Sequence, residues 1–289
     1  MNNLISVKRR FKGILDQALT FPGLGMSPWM KGIHLSPPMN PLEYPYGASA
    51  IFCVSVDFDV TQIDRQRANR EGTRQLLDLS EKYGISMTWA ICGRTAEEDP
   101  ESYHSILESK QPQEIGVHTY SHIDVSSCGV SEFEDEIEKC LKVLQLAKSP
   151  KSFVFPYNRL GKFDVLKKMG FVAFRAKNRM IGPPKLEHGL WNISPTYHAD
   201  RKTFNSLPFV KKLVDTAVSN NSVFHFWLHP WDMIPETSSQ QSLAKELVEP
   251  LFRYACQRRD ARSSALAFCP MGDLAQHFET ALSGSQSRK

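Results

Sequence analysis

The sequence lacks the features that mark several large protein classes. Its six cysteines (Cys53, Cys92, Cys128, Cys140, Cys256, Cys269) are scattered, with no Cys-x-x-Cys pair. That pattern argues against a disulfide framework and suits a reducing compartment. No apolar run approaches the roughly 18 residues of a membrane span. No Lys/Arg run is interleaved with aromatics and the net charge is only +4, so no nucleic-acid partner is expected. There is no internal repeat and no compositional shift that would separate two domains. What remains is ordinary for a soluble globular protein: 41% hydrophobic and 23% charged residues in 289, enough to bury a sizeable core.

The first 47 residues read as a helix followed by an irregular arm. Val7-Lys8-Arg9-Arg10-Phe11-Lys12 is basic, and Asp16 and Gln17 interrupt any signal-peptide core. Leu4, Ile5, Phe11, Ile14, Leu15 and Leu19 form one face of a basic amphipathic helix. The plain reading is a surface helix packed on the domain; the sharper one is docking on an anionic membrane surface, and a targeting sequence is the third. A cytoplasmic, membrane-associated location is the matching expectation. Residues 20 to 48 are rich in Pro, Gly and Met without periodicity.

From residue 48 to 282, apolar strand-like runs alternate with amphipathic helices, the pattern of a parallel sheet covered on both sides. Expected strands are 48–56, 85–91, the run before His118, 152–155, 171–174, 223–228 and 265–269, with a weaker one at 190–193. Expected helices include 66–83 (stopped by Gly84), one opened by a capping box at Ser131-Glu132-Phe133-Glu134, 204–218, 239–258 and 271–282. Residues 283–289 read as a polar, frayed tail.

The chemistry-bearing residues follow these strands. Asp57 and Asp59 end the first; on a regular strand they point to the same side. Gly116-Val117-His118-Thr119-Tyr120-Ser121-His122 ends the third. Its two histidines stand four apart, one turn of helix, so both rings can face one point. His229-Pro230-Trp231-Asp232 ends the run 223–228. One carboxylate and two imidazoles with an open fourth position is a standard catalytic zinc set. Acids and histidines gathered at the carboxyl ends of strands are the signature of a barrel rim.

Asp57/Asp59, His118-x3-His122, Phe155-Pro156-Tyr157 and Leu228-His229-Pro230, in that order, resemble the polysaccharide deacetylase family (the NodB-homology domain, a carbohydrate esterase family four-like fold). The resemblance covers roughly residues 48 to 275. It implies a distorted (β/α)7 barrel, here with the irregular N-terminal arm. It also implies a divalent metal, Zn2+ first among the transition ions, on Asp59, His118 and His122. Asp57 is then the general base and His229 the general acid. The roles of Asp57 and Asp59 are open to exchange, because Phe58 stands where the family has the second of two adjacent aspartates. The Tyr157 N–H is implied as an oxyanion donor, with Pro156, Arg159 and Trp231 against substrate. The family's arginine falls at Val154 here, leaving Arg159 or Arg175 to replace it beside Asp57. Trp191 and Trp231 are candidates for stacking on a sugar. His225 reads as a packed strand histidine, and His34, His104, His188, His198 and His277 as surface or packing residues.

The expected function is metal-dependent deacetylation of an N-acetylated sugar or glycoconjugate. The first alternative is hydrolysis of a small non-sugar amide or cyclic ureide. The second is a non-catalytic carbohydrate-binding barrel.

Overall fold

The computed structural model describes residues 34–35, 43–59, 66–175, 180–200, 206–237, 242–261 and 266–286. The N-terminal helix and most of the arm lie outside these residues. Among the described residues no helix is long and apolar enough to cross a membrane.

The central strand is β1, Ala50–Phe58. All nine of its residues are buried, because it is flanked by strands on both edges and covered on both faces. The other elements are α1 (Gln66–Tyr83), β2 (Thr88–Ile91), α2 (Gly93–Glu98), α3 (Pro100–Leu107), β3 (Glu114–Val117), α4 (Val130–Leu144), β4 (Ser152–Val154), α5 (Phe163–Lys168) and β5 (Ala173–Arg175). There follow β6 (Lys185–Glu187), β7 (Leu190–Asn192), β8 (Tyr197–His198), α6 (Leu207–Ser219), β9 (Val223–Leu228), α7 (Glu249–Asp260), β10 (Leu266–Phe268) and α8 (Met271–Gln286). The sheet runs β8-β9-β1-β2-β3-β4-β5-β7-β6. All its pairings are parallel except the β6–β7 hairpin. This is a distorted barrel, curled but with its path left open between β8 and β6. Along one edge of β1 the partner changes: β10 pairs with Ala50–Phe52 and β2 takes over from Ser55 to Phe58.

The alternation of side chains along β1 sorts the interior. Ala50, Phe52, Val54, Val56 and Phe58 join the main core under the helices, while Ile51 and Cys53 belong to a second core inside the curl. That inner core includes Val154, Ala173, Val223 and, from α8, Leu274 and Phe278. Helix α8 thus plugs one end of the barrel. Its first turn rests on a half-buried carboxylate: Glu114 accepts from the Gly272 N–H and from the hydroxyls of Thr88 and Ser152. A negative charge at a helix N-terminus is well placed.

Local sequence explains the helix ends. Gly84 takes φ +63 after α1, where an L side chain is rarely tolerated. Asp99 caps α3 by accepting from the Ser102 N–H, with Pro100 at the first turn. The box expected at Ser131–Glu134 is shifted two residues toward the N-terminus: Gly129 is the N-cap, Glu132 rather than Glu134 accepts from its N–H, and the helix starts at Val130. Helix α6 starts at Leu207 because the Ser206 side chain accepts from the Phe209 N–H and Pro208 fits only the first turn. Helix α7 follows a π turn at Ala244–Val248. Helix α8 reaches Gln286, so the first residues of the expected polar tail are helical.

Candidate active site

The inner face of β1 changes character along its length. Ile51 and Cys53 are apolar; Ser55, Asp57 and then Asp59 follow at the same alternating positions. The inner face of β9 does likewise, from Val223 through His225 and Trp227 to His229. Two strands paired in parallel therefore bring their polar ends to one mouth, the carboxyl-terminal rim.

Asp59, His118 and His122 meet there. One ligand atom from each lies within 4.8 Å of the others. His122 Nε2 stands 3.3 Å from Asp59 Oδ2. The histidines are not on a helical turn. They occupy an irregular loop after β3, in which Thr119 and His122 take positive φ (61 and 62). This loop is held by Glu136 of α4, whose carboxylate accepts from the backbone N–H of Tyr120 and Ser121 and from the Ser121 hydroxyl. Strained backbone beside converging ligands is a recurrent feature of functional sites, and Tyr157 and Asn158 (φ 56 and 54) add to it at the neighbouring turn.

The donor set fits a divalent ion. His118 Nδ1 lies 2.7 Å from the Val154 carbonyl. Nδ1 must therefore carry the proton, which leaves the Nε2 lone pair as ligand, the usual arrangement behind a metal-bound imidazole. Burial pushes His118 down to about 3 and His122 to about 4, so both rings are neutral and able to ligate. Asp59 Oδ1 is buried with no hydrogen-bond partner among the described residues. Burial pushes its carboxyl up to about 7, against the pull of His229. A buried acid with an orphaned oxygen next to two neutral imidazoles is a site short of positive charge.

Asp57 sits beneath this cluster, and its partner is Arg175 from β5. The guanidinium grips both carboxylate oxygens and also donates to Ser55 Oγ at 2.9 Å. The side chains are 1% and 4% exposed for Arg175 and Asp57. Burial alone would raise the Asp57 carboxyl; the Arg175 charge and hydrogen bonds hold it well below the usual range instead. Arg159, the other candidate, is on the surface and pairs with Asp124. Arg175 also lies over the Trp227 ring, 4.3 Å from its centroid. His225 accepts from Ser55 at Nε2 (2.8 Å) and donates from Nδ1 to the Ile193 carbonyl (2.8 Å), a packed and satisfied ring that supports Ser55.

His229 faces Asp59 across the mouth, Nε2 to Oδ2 3.8 Å. Its Nδ1 lies 3.1 Å from Asp232 Oδ2. Burial opposes protonation, but the Asp59 and Asp232 carboxylates outweigh it and push His229 up to about 9. Trp231 is only 7% exposed and stacks on the His229 ring at 4.2 Å, so its face is taken by the histidine. Trp191 is buried against Phe278, its Nε1 donating to Glu279, away from the mouth. Pro156 is buried in the turn after β4, whereas the Tyr157 ring is 59% exposed and lies against His122.

One supporting residue, Glu136, and one neighbour of the site, His198, escape a reading of the sequence. Arg175 was one of two alternatives. Glu136 lies on a helix with no motif. His198 stacks on Trp227 at 3.7 Å beside His229, and only the β8–β9 pairing brings it there.

A sequence profile described as polysaccharide deacetylase matches residues 38–174. Solved structures share the fold at low identity. A Mycobacterium smegmatis protein assigned to the polysaccharide deacetylases aligns at TM-score 0.66 and 12% identity, over 86% of this chain and 96% of its own. A Pseudomonas aeruginosa protein assigned likewise gives 0.66 and 14%, over 84% and 95%. An allantoinase gives 0.66 and 13%, over 85% and 95%. Residues 38–174 thus resemble the polysaccharide deacetylase family in sequence, and the described residues share the fold of these neighbours.

Proposed function

We propose that the chain removes an acetyl group from an N-acetylated sugar or glycoconjugate, using a divalent ion held by Asp59, His118 and His122. The observation that carries this reading is the meeting of that ligand set with the His229–Asp232 pair on one side and the Asp57–Arg175 pair on the other. Zn2+ suits two neutral imidazoles and one carboxylate. When bound, it supplies a Lewis acid that polarises the acyl oxygen and acidifies water.

The chain's own groups supply the rest. Asp57 takes the proton of the attacking water; each of its oxygens keeps a lone pair beyond the Arg175 bonds. Arg175 fixes the direction of that carboxylate. The Tyr157 N–H donates to the developing oxyanion. His229 gives its proton to the departing nitrogen as the C–N bond breaks, while Asp232 holds the ring by Nδ1 and favours its charged form. The products are the free amine and acetate. The exposed Tyr157 ring and Arg159 border the mouth, where a sugar ring can rest.

A second reading keeps the machinery and changes the substrate to a small amide or cyclic ureide; the allantoinase among the fold neighbours supports it. The deciding experiment offers metal-reloaded protein N-acetylglucosamine oligomers and allantoin in parallel. Acetate release from the first supports deacetylation, ring opening of the second supports the alternative, and neither would leave a carbohydrate-binding barrel without chemistry.

A further inference from the structure

Beside the ligand set described above lies a second group with metal-ligand chemistry. His198, His229 and Asp232 each place one ligand atom within 4.8 Å of the other two. The His229 Nδ1 to Asp232 Oδ2 distance of 3.1 Å is near the separation of about 3.4 Å between two ligands with bonds of about 2.0–2.1 Å around a tetrahedral ion. His198 Nε2 is buried and has no hydrogen-bond partner among the described residues. Burial pushes His198 down to about 3, so the ring is neutral with a lone pair to give. It is held flat on Trp227, interplanar angle 8°, and its centroid is 5.7 Å from that of His229. Nothing in the hydrolytic scheme uses His198.

We propose that His198, His229 and Asp232 form a second, inhibitory site for a divalent transition ion, filled after the Asp59/His118/His122 site. The ion takes the place of a proton on a ring nitrogen of His229, and that proton leaves to solvent. An imidazole so bound is no longer an imidazolium, so the departing amine finds no acid. Excess zinc therefore arrests the protein without displacing the first ion. The inhibitory half rests on the reading of His229 as the acid; the binding half does not.

The test uses the full chain stripped of metal and titrated with Zn2+ alone. Stoichiometry is read by equilibrium dialysis with elemental analysis, and amide hydrolysis is followed in parallel. His198→Phe keeps a ring on Trp227 and removes both nitrogens. Wild type is expected to bind two ions per chain, His198→Phe one, and His122→Ala one. Wild-type activity is expected to rise with the first equivalent and fall at least tenfold as the second site fills, whereas His198→Phe reaches the same maximum and holds it. Wild type binding a single ion, or His198→Phe binding two, overturns the site. Two ions bound without loss of activity overturns the inhibition. A singly loaded protein that hydrolyses no amide overturns the functional reading and leaves the stoichiometry standing.

Discussion

Arg175 lies directly opposite Val154 in the ladder between β4 and β5. Val154 is where the deacetylase pattern carries its arginine, so the guanidinium that grips Asp57 comes from the next strand at the same level. Removing it leaves a buried carboxylate unpaired, which costs about 3–5 kcal/mol. Arg175→Leu is therefore expected to lower the unfolding midpoint sharply and to abolish activity. Val154→Arg combined with Arg175→Val is expected to recover part of both, as read by thermal unfolding and kcat/KM. A double variant no better than Arg175→Leu would break the equivalence of the two positions.

Metal content gives a direct measure of the ligand assignment. Asp59→Asn, His118→Ala and His122→Ala should each lose the tightly held ion, whereas Asp57→Asn should keep it and lose only turnover. Elemental analysis of dialysed protein separates the two aspartates. An ion lost with Asp57→Asn and kept with Asp59→Asn would exchange their roles.

The Asp59 carboxylate and then Asp232 raise His229 to about 9, and with an ion on Asp59 it is Asp232 that would go on supporting the acid form. Asp232→Asn removes that support and lowers the histidine's pKa. The alkaline limb of the kcat/KM profile is then expected to move to lower pH. His229→Ala should cost about 10²–10⁴ in kcat, the usual worth of a positioned acid. An unmoved alkaline limb in Asp232→Asn would detach Asp232 from the acid.

Acid lability follows from His225. The ring is fully buried, and burial pushes it down to about 3 from an ordinary value of 6.5. Between those values the unfolded chain binds a proton that the folded chain refuses. Stability is thus fully present above about 6.5 and is lost progressively as the pH falls toward 3. His225→Gln, which cannot take that proton, should flatten the fall, seen as a shallower dependence of the urea midpoint on pH between 6.5 and 4.

Gly72 couples α1 to the turn that carries His229. A Cβ there would meet the Pro230 carbonyl oxygen at 1.8 Å, with backbone on the other side of the contact. In an exposed helix Gly→Ala would add about 1 kcal/mol of stability. Here Gly72→Ala is expected to destabilise and to cut kcat by displacing His229, while the ion on Asp59, His118 and His122 is retained.

A parallel sheet covered on both sides was readable because the runs at Ala50–Phe58 and Val223–Leu228 are apolar almost throughout, Ser55, Asp57 and His225 aside, whereas its curling into a barrel was implied only by the family resemblance. The acids and histidines at the strand ends were readable because chemistry collects there, and the structure does gather Asp59, His118, His122 and His229. The local geometry was not readable. Helical spacing placed His118 and His122 on one turn, yet positive φ at Thr119 and His122 does the same by a loop. Arg175 and His198 depend on strand register, which no local pattern encodes. Trp231 looked like a platform for substrate because sequence gives a residue's type and not which face is already covered.

Strand β1 cannot complete its edge until β9 exists, since Ser55 and His225 touch across 170 residues of chain. During synthesis this apolar segment waits for a partner that emerges last but one among the described strands. Chains stalled before residue 223 should therefore be captured by holdase chaperones, and release should coincide with emergence of Val223–Leu228.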